Sequence, residues 1–478
     1  MYETVIGLEV HLQLKTKTKA FCGCANSFGA EPNTLVCPVC LGLPGSLPVL
    51  NKKALEYALK VALALNCEVK EFFKFDRKNY YYPDLPKNYQ ISQYDMPLSI
   101  NGYLEIDTET KNKRIRIKRV HLEEDAGKLI HTPEYSLVDY NRAGVPLLEI
   151  VTEPDINSAE EAYEYLVNLK SVLEYLEVSD CNMEKGSLRC DANVSLRKKG
   201  SSVLGIKTEL KNMNSFKAVR DALDFEISRQ RKILDGGERV IQETRLWDAE
   251  EGITISMRTK EEAHDYRYFP DPDLVIFTVD EKVIKSIKDT LPEFPRQRCL
   301  RFQKEYSLSF YDAEVLTRSK YLADYFESCA KLYPYPKEIS NWLTTEVLAY
   351  LNEKKIPIEE FTLESEKLIG LLKILQAKQI SRNTAKDVLR IMLDTNKDAD
   401  TIIKEKNLFL ISDESDLEKI VDEVIKNNPN SVNDYLKGKE NAIMFLVGQV
   451  MKQTKGKADP VRVNTLLKTK LKKGGDNA

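Results

Sequence analysis

VIGLEVHLQL, residues 5–14, alternates two unlike sets of side chains along its length. One set is apolar and consists of Ile6, Leu8, Val10, Leu12 and Leu14. The other set includes Glu9, His11 and Gln13. Because successive side chains of a strand point to opposite faces, this period of two predicts a β-strand with one face in a core. Glu9 and His11 then stand side by side on the other face, where a carboxylate and an imidazole need partners.

The same division of faces returns in two later segments. In SLRCDANVSLR, which starts at residue 187, the polar set begins with Ser187, Arg189, Asp191 and Asn193. In GIKTELK, which starts at residue 205, the polar set is Lys207, Glu209 and Lys211. An antiparallel sheet commonly has one solvated face, and for either strand alone this simpler interpretation is favoured. The recurrence on several strands also fits one shared polar site.

Strand-like segments dominate the first 290 residues, and helical periodicity interrupts them at 51–66, 157–176 and 215–235. Strands with helices grouped between them predict an α+β fold on a mainly antiparallel sheet. The segment TLPEFPRQR, residues 290–298, carries two prolines and indicates a linker, beyond which the pattern is helical. We therefore predict three domains: an α+β domain over 1–292, an all-α domain over 293–405 and a small α-helical tail over 406–478.

The composition is that of an ordinary globular protein, with 42% hydrophobic and 30% charged residues. No run approaches the roughly 18 apolar residues of a membrane helix, and the first residues lack the regions of a signal peptide, so we expect a cytoplasmic protein without a membrane partner. Residues 431–478 hold ten Lys/Arg against four Asp/Glu, which suits contact with a polyanion or, more commonly, a solvated tail. Neither a P-loop nor a GxGxxG motif occurs, so both of those nucleotide-binding modes are unsupported.

Four of the nine cysteines cluster in the loop CGCANSFGAEPNTLVCPVC, residues 22–40. Cys22, Cys24, Cys37 and Cys40 form two close pairs, and two facing pairs of thiolates supply the tetrahedral sulfur ligands that zinc prefers. Four protein ligands leave no position for a substrate, so we predict a structural zinc site. The alternative is a set of buried or redox-active thiols.

Carboxylates occur in two other segments in a way that a solvated sheet face explains poorly. Glu149 is the one charged residue of VPLLEIV, and a carboxylate in such an apolar run needs a cation or a hydrogen bond. HLEEDAGK brings Glu123, Glu124 and Asp125 together against their mutual repulsion. A metal ion or a basic group near these segments would remove the conflict.

These carboxylates predict a phosphoryl-transfer site if their segments flank the first strand. Carboxylate-rich ligand sets favour Mg²⁺ or Mn²⁺. The ligands would be Glu9, His11, Glu149 and one of the adjacent carboxylates of HLEEDAGK. Cationic side chains stabilise a transferring phosphoryl group, and here they would be Lys207, Lys211 and Arg189. ATP would then be bound by a carboxylate-bearing sheet, as in glutamine synthetase rather than as in a kinase.

Aromatic and basic residues interleave in residues 75–98 and again in HDYRYFPDPDL, residues 264–274. Tyr and Arg on proline-fixed loops suit the stacking of a nucleotide base or of a single-stranded RNA end. A tyrosine-rich loop packed on the domain surface explains the composition equally well. As nucleotide contacts we predict Lys78, Tyr81, Tyr82, Ser187, Arg189 and Lys207.

Seven motifs closely resemble, in their order, those of the GatB family, the B subunits of the aspartyl/glutamyl-tRNA amidotransferases. They are ETVIGLEVHLQL, KFDRKNYYYPDLPKNYQISQYDMPL, HLEEDAGK, DYNRAGVPLLEIVTEPD, SLRCDANVSLR, TELKNMNSF and DYRYFPDPDL, and they cover about residues 1–275. The resemblance implies a cradle-shaped catalytic domain, a helical domain and a YqeY-like tail that contacts tRNA. It matches the Mg²⁺ positions of the family to Glu9, His11, Glu124 and Glu149.

The resemblance also implies a heterotrimer in which the partners are an amidase-type subunit and a third, small subunit. The amidase releases ammonia from glutamine, while this chain uses ATP and Mg²⁺ to activate the side-chain carboxylate of Glu-tRNA(Gln) or Asp-tRNA(Asn) as an acyl phosphate, which ammonia converts to the amide. For that chemistry we predict as catalytic residues Lys207, Lys211, Arg189, Asp191, Asn193 and Glu209.

Two alternatives to this function stay open. One is a non-catalytic, zinc-containing tRNA-binding scaffold in the same complex. The other is a related archaeal-type protein, for whose extra inserted domain the 478 residues leave no obvious room. Some members that resemble this sequence lack the four cysteines, so the zinc would serve the structure of the loop rather than the chemistry that the family shares.

Overall fold

The computed structural model describes residues 2–107, 112–259, 266–410, 414–454 and 457–475, and the side chains of all of these except 414–416 and 472–475. The chain forms two compact units, Met1–Pro295 and Arg296–Ala478. Residues 264 and 265 of the predicted aromatic segment lie outside the described residues.

A nine-stranded sheet organises the first unit, in the order β14-β13-β12-β11-β1-β10-β7-β6-β2. The strands in the described ranges are β1 Tyr2–Gln13, β2 Glu68–Val69, β3 Phe72–Phe73, β4 Asp76–Asn79, β5 Tyr89–Ser92, β6 Ser99–Asp107, β7 Asn112–Glu124, β8 Lys128–His131, β9 Ser136–Asp139, β10 Pro146–Thr152, β11 Leu188–Lys198, β12 Thr208–Lys211, β13 Glu243–Asp248, β14 Ile253–Thr259, β15 Arg267–Pro270 and β16 Phe277–Thr278. Within the large sheet β12 and β13 run parallel, and the other neighbours are antiparallel. The predicted α+β class with a mainly antiparallel sheet is therefore confirmed.

The apolar face of this sheet forms the core of the first unit. All five apolar residues predicted on β1 are buried, as are those of the same parity on β11, such as Ala192 and Val194. Glu9, His11 and Gln13 remain half-buried on the opposite face. The period of two thus assigns each side chain of β1 to the face that the sequence predicts.

Three long helices cover the apolar face, within a few residues of the predicted ranges. The helices of the first unit are α1 Pro38–Leu41, α2 Lys52–Ala64, α3 Ala159–Tyr175, α4 Phe216–Asp235 and α5 Glu281–Lys288. Asn51, Ser158 and Ser215 begin the three long ones, because each side chain accepts a hydrogen bond from a backbone N–H of the first turn. Their buried residues join the core of the sheet.

Smaller sheets complete the first unit: β15-β4-β5, β16-β3 and β8-β9. In the first of these, β4 pairs with β15, which places Lys78 opposite Tyr268. The two aromatic segments predicted from the sequence are therefore neighbours in space. Strand β5 also packs against β7 of the large sheet, which brings the aromatic residues to the end of the sheet that carries Glu123.

The second unit is helical in the described residues. Its helices are α6 Pro295–Tyr306, α7 Phe310–Thr317, α8 Lys320–Leu332, α9 Pro336–Trp342, α10 Leu348–Lys354, α11 Ser365–Gln376, α12 Arg382–Thr395, α13 Ala399–Glu405, α14 Glu414–Asn427, α15 Pro429–Leu436, α16 Ala442–Gln453 and α17 Pro460–Gly475, with a π-helical turn at Leu343–Val347 and a 3₁₀ turn at Ile358–Glu360. These helices enclose two separate cores, one from Cys299 to Ile403 and one from Leu417 to Leu471. The predicted helical character is confirmed, while the boundaries at 292/293 and 405/406 stay predictions.

The predicted linker is shorter than 290–298. Residues 289–294 separate α5 from α6, because Pro295 begins a helix, a position where its missing N–H costs no hydrogen bond. None of the helices in the described ranges combines the length and apolarity that crossing a membrane requires.

Candidate active site

The strand registers place four polar side chains in one row across the large sheet. His11 on β1 lies opposite Arg189 on β11 and opposite Glu149 on β10. Glu149 in turn lies opposite His121 on β7. Neighbouring strands are about 4.8 Å apart, so the row forms a continuous polar wall on the face that the helices leave uncovered.

Three side chains of this face converge closely enough to hold a metal ion. One ligand atom each from His11, Glu123 and Glu149 lies within 4.8 Å of the other two. His121 completes the group, with its Nε2 atom 3.4 Å from Oε2 of Glu149 and 3.7 Å from Oε2 of Glu123. We call these four residues the acid–imidazole cluster.

Glu124 does not belong to this cluster, although the family resemblance matches it to a metal position. Its carboxylate pairs with the ammonium of Lys87 and accepts a hydrogen bond of 2.9 Å from the backbone N–H of Ile91. Val120 and Leu122 are buried in the core of the sheet, and Glu124 shares their parity on β7. The alternate positions His121 and Glu123 face the site instead, so Glu123 is the carboxylate of this pair that lies near His11 and Glu149, while metal binding by Glu124 stays a prediction.

Glu9 lies beside the cluster rather than in it. Its Oε1 atom accepts a hydrogen bond of 3.3 Å from Asn193. Burial, together with the charges of Glu149, Asp191 and Glu209, raises the pKa of Glu9. A concentration of carboxylates that disfavours its own charge is what a bound cation would relieve.

The predicted cations occupy three different environments. Lys211 pairs with Asp191 and lies 3.2 Å from Glu209, and these charges raise its pKa although burial opposes that shift. Arg189 donates to Asp125 over 2.9 Å. Lys207 is exposed, so it is the most accessible of the three to an incoming anion.

Of the nucleotide contacts predicted in the aromatic loops, only Lys78 lies near the cluster. Burial works against the charge of Lys78, but Glu123 and other nearby groups raise its pKa, and its ammonium lies 4.7 Å from the centre of the Tyr266 ring. Tyr81 and Tyr82 are exposed. The structure therefore brings Lys78 to the edge of the cluster and leaves the two tyrosines at the surface.

The hydroxyl of Ser187 makes its hydrogen bonds within its own loop. Its hydroxyl donates to the carboxylate of Asp180 and accepts a hydrogen bond of 2.9 Å from the backbone N–H of Asn182. Its predicted contact with a nucleotide would require these bonds to be exchanged.

His121 carries no signal in the sequence, and only the family resemblance selects Glu124 over Glu123 there. The period of two was sufficient to decide, because Val120 and Leu122 mark the core-facing positions of β7. The pairing of β7 with β10 could not be read from the sequence, and that pairing is what places His121 beside Glu149.

The residues present fit a divalent cation. Two carboxylates and an imidazole converge, and carboxylate ligands suit Mg²⁺ or Mn²⁺. The Nδ1 atom of His121 is buried and has no hydrogen-bond partner among the described residues, which indicates that the polar surroundings of the cluster are incomplete without a further group.

A cavity of about 260 Å³ lies beside Glu9 and is lined by residues of β1, β10 and β11 and of the segment that precedes β12. Its apolar wall includes Val5, Val151 and Leu204, and its polar rim includes Asn193 and Lys207. Glu9 also lines it. An apolar pocket with a few polar groups at one end is typical of a site for a small organic ligand.

The four clustered cysteines form a second candidate metal site, away from the large sheet's polar row. One sulfur atom each from Cys22, Cys24, Cys37 and Cys40 lies within 4.8 Å of the other three. Hydrogen bonds from the Cys22 thiol and the Cys37 backbone N–H, and the charge of Lys19, lower the pKa of Cys40 although burial opposes that shift. Lys19 is fully buried, with its ammonium 3.7 Å from the Cys40 sulfur. Four convergent sulfurs beside a buried cation fit a structural zinc ion.

Replacing one of these ligands should remove the zinc. We expect Cys24→Ser to lower the zinc content from about one ion per chain to nearly none, because a structural site needs its four ligands. Elemental analysis after dialysis measures this, with Cys181→Ala, which removes a buried thiol outside the loop, as the matched control. Zinc-free wild-type protein, or full zinc in Cys24→Ser, would contradict the assignment.

Comparison with known proteins shows the family to which the chain belongs. The GatB/GatE catalytic domain matches residues 4–285, and the GatB domain matches residues 324–471. The B subunit of the aspartyl/glutamyl-tRNA(Asn/Gln) amidotransferase of Carboxydothermus hydrogenoformans is 57% identical over 478 residues, which are 99% of either chain. The protein of the same name from Caldanaerobacter subterraneus subsp. tengcongensis is 59% identical over 473 residues, 99% of this chain and 100% of that one.

The chain therefore belongs to the GatB family, and it is one of the subunits of a tRNA-dependent amidotransferase. The family predicted from the seven motifs is confirmed.

Proposed function

We propose that this chain uses ATP and Mg²⁺ to activate the side-chain carboxylate of Glu-tRNA(Gln), of Asp-tRNA(Asn) or of both. Ammonia, released from glutamine by a partner amidase, then displaces phosphate to give Gln-tRNA(Gln) or Asn-tRNA(Asn). A third, small subunit is the other expected partner, and the cytoplasm is the expected compartment. The relatives are named as B subunits of an aspartyl/glutamyl-tRNA(Asn/Gln) amidotransferase, which supports this reaction and a complex of several subunits.

The convergence of His11, Glu123 and Glu149 is the observation that carries the proposal. Two carboxylates that face each other repel one another, and the nearby imidazole of His121 or a bound cation relieves that repulsion. Such a cation is the usual partner of transferred phosphates. The cavity that Glu9 lines, two positions before His11 on β1, would supply space for a nucleotide.

Each residue of the cluster would have a role that follows from its position. Bound ATP with its Mg²⁺ would supply the phosphoryl group and neutralise its charge. Glu123 and Glu149 would hold the cation, and the buried imidazole of His121, which lies close to both of them, would orient their carboxylates.

The three predicted cations would bind the phosphates. Lys207 is exposed at the cavity rim and can move toward an anion. Lys211 is held by Asp191 and Glu209, so it would act from a fixed position, as would Arg189 beside Asp125. Fixed charges stabilise a transferring phosphoryl group without reorganising during the reaction. Asn193 would keep Glu9 oriented.

Phosphate release by the assembled complex tests the proposal. We expect ATP hydrolysis only when Glu-tRNA or Asp-tRNA is present, with one phosphate released for each amide formed when glutamine is added. Uncharged tRNA is the control, since it lacks the carboxylate to be activated. A non-catalytic, zinc-containing tRNA-binding scaffold would instead show no ATP hydrolysis with any combination of partners, and that result would overturn the proposed reaction.

A further inference from the structure

Two tyrosines from the predicted aromatic segments stack on each other at the edge of the acid–imidazole cluster. The rings of Tyr94 and Tyr268 lie 4.3 Å apart with an angle of 15° between them. Tyr268 is opposite Lys78 in the small sheet, and the charges of Glu123 and Glu149 act on its hydroxyl. The pair is therefore within electrostatic reach of the cluster.

The backbone of Tyr94 is fixed by a hydrogen bond, while its ring is exposed to solvent. The backbone N–H of Tyr94 donates over 2.9 Å to Asp76, a carboxylate that is only 2% exposed and that also pairs with Lys74. Tyr94 itself is 55% exposed. A ring with a fixed backbone and a free face is a platform on which a further aromatic group can stack.

Arg119 lies alongside this platform, and its guanidinium donates one hydrogen bond among the residues that the structure describes. It stands two positions before His121 on β7, on the same face of the sheet, and one of its terminal nitrogens is 3.5 Å from the carbonyl oxygen of Tyr94. Its Nε atom is buried without a hydrogen-bond partner, and within the described part of the chain no carboxylate lies within 4.0 Å of its guanidinium. A buried guanidinium edge without an acceptor is suited to an incoming anion, above all a phosphate.

We propose that Tyr94, Tyr268 and Arg119 bind the single-stranded 3′ end of the RNA substrate, with a base stacked on the exposed ring of Tyr94 and a backbone phosphate on Arg119. The inference rests on the proposed function for the identity of the substrate. Single-stranded RNA is commonly held by bases stacked on aromatic side chains and by arginine contacts to the backbone. A nucleotide stacked here leaves the aminoacyl group beside the cluster, because Arg119 is only about 7 Å from His121 along the strand.

The open shape of the platform favours RNA over the base of ATP. A flat, exposed ring accepts a chain that continues into solvent, whereas the cavity beside Glu9 is a separate pocket with apolar walls, one of which is Val151, the residue opposite Arg119.

Binding of uncharged tRNA to the complete complex without ATP tests the inference. We expect removal of the terminal CCA nucleotides to weaken binding by wild-type protein about tenfold, within the range for loss of a stacked base. Tyr94→Ala should weaken binding of intact tRNA by a similar factor and should make the removal of CCA nearly neutral. Tyr94→Phe, which keeps the ring, should bind as wild type does. Tyr135→Ala, at an exposed tyrosine outside the platform, is the matched control.

The salt dependence of tRNA binding by Arg119→Gln is a second, independent test of the inference. Losing one phosphate contact with a single strand should reduce the slope of log K against log salt by about 0.7, whereas loss of a purely structural arginine should leave the slope unchanged.

Three outcomes would overturn the inference. If Tyr94→Ala weakens binding of a non-hydrolysable ATP analogue and leaves tRNA binding intact, the platform holds the base of ATP. If neither changes, the stacked pair is structural only. If CCA removal weakens Tyr94→Ala as much as wild type, the 3′ end binds elsewhere. These measurements need no ATP hydrolysis, so failure of the proposed reaction would be distinguishable from failure of the platform.

Discussion

Glu149→Gln should abolish ATP-dependent amidation while leaving tRNA binding nearly unchanged. Glu149 lies between His11 and His121 in the polar row, so its carboxylate contacts both imidazoles and lies in the group that would hold the cation. Even partners of metal ligands cost about 10–100-fold in activity or metal affinity when they are replaced, and we expect a loss of about 100-fold or more in kcat. Amide formation on Glu-tRNA by the complete complex is the measurement.

Glu3→Gln is the matched control for this variant. Glu3 lies on the same face of β1 as Glu9 and His11, but it pairs with Arg197 at 3.0 Å and is about 27 Å from His11 along the strand. It should amidate within about twofold of wild type. His11→Ala should behave like Glu149→Gln, and near-normal turnover in either of these two variants would refute the metal assignment.

Glu123→Gln and Glu124→Gln should separate a metal ligand from a structural carboxylate in one comparison. Glu123 faces the cluster, so we expect Glu123→Gln to weaken Mn²⁺ binding by about 10–100-fold. Glu124 is paired with Lys87 and both side chains are buried, and breaking a buried ion pair from one side costs about 3–5 kcal/mol. Glu124→Gln should therefore lower the unfolding temperature while leaving Mn²⁺ affinity within about threefold.

Titration with Mn²⁺ in the absence of ATP, together with thermal unfolding of the same samples, distinguishes the two variants. The wild-type complex is the reference for both measurements. The opposite pattern, with weak Mn²⁺ binding in Glu124→Gln and unchanged binding in Glu123→Gln, would restore the ligand set implied by the family resemblance.

Local pattern was sufficient for much of the fold. The alternation in β1 assigned each of its side chains to the correct face, because a strand has a fixed period of two and one face had to be buried. The helices α2, α3 and α4 were predicted within a few residues, since each begins at an Asn or Ser that caps its first turn. The cysteine loop was equally readable, because the spacing of thiols limits where their sulfurs can meet.

The candidate site was less accessible to sequence reasoning. Glu149 and His11 were identified by their conflict with apolar surroundings, which is a local signal. Arg119 and His121 carry no such signal, since an arginine or a histidine on a half-polar strand is ordinary. Their roles depend on which strands lie beside β7 and on what stands near its end, and those are contacts between residues far apart in the sequence.

By itself, therefore, the sequence determined the faces of the strands, the starts of the helices, the cysteine cluster and, through seven motifs, the family. Only the tertiary structure decided that β1 lies between β11 and β10 and that β10 pairs with β7. That order turns four separate polar residues into one row and places Glu123, which the period of two already assigns to the polar face, near His11. The physical reason is that periodicity fixes the direction of a side chain relative to its own strand, whereas the neighbour across the sheet is fixed by long-range pairing and packing of the whole core.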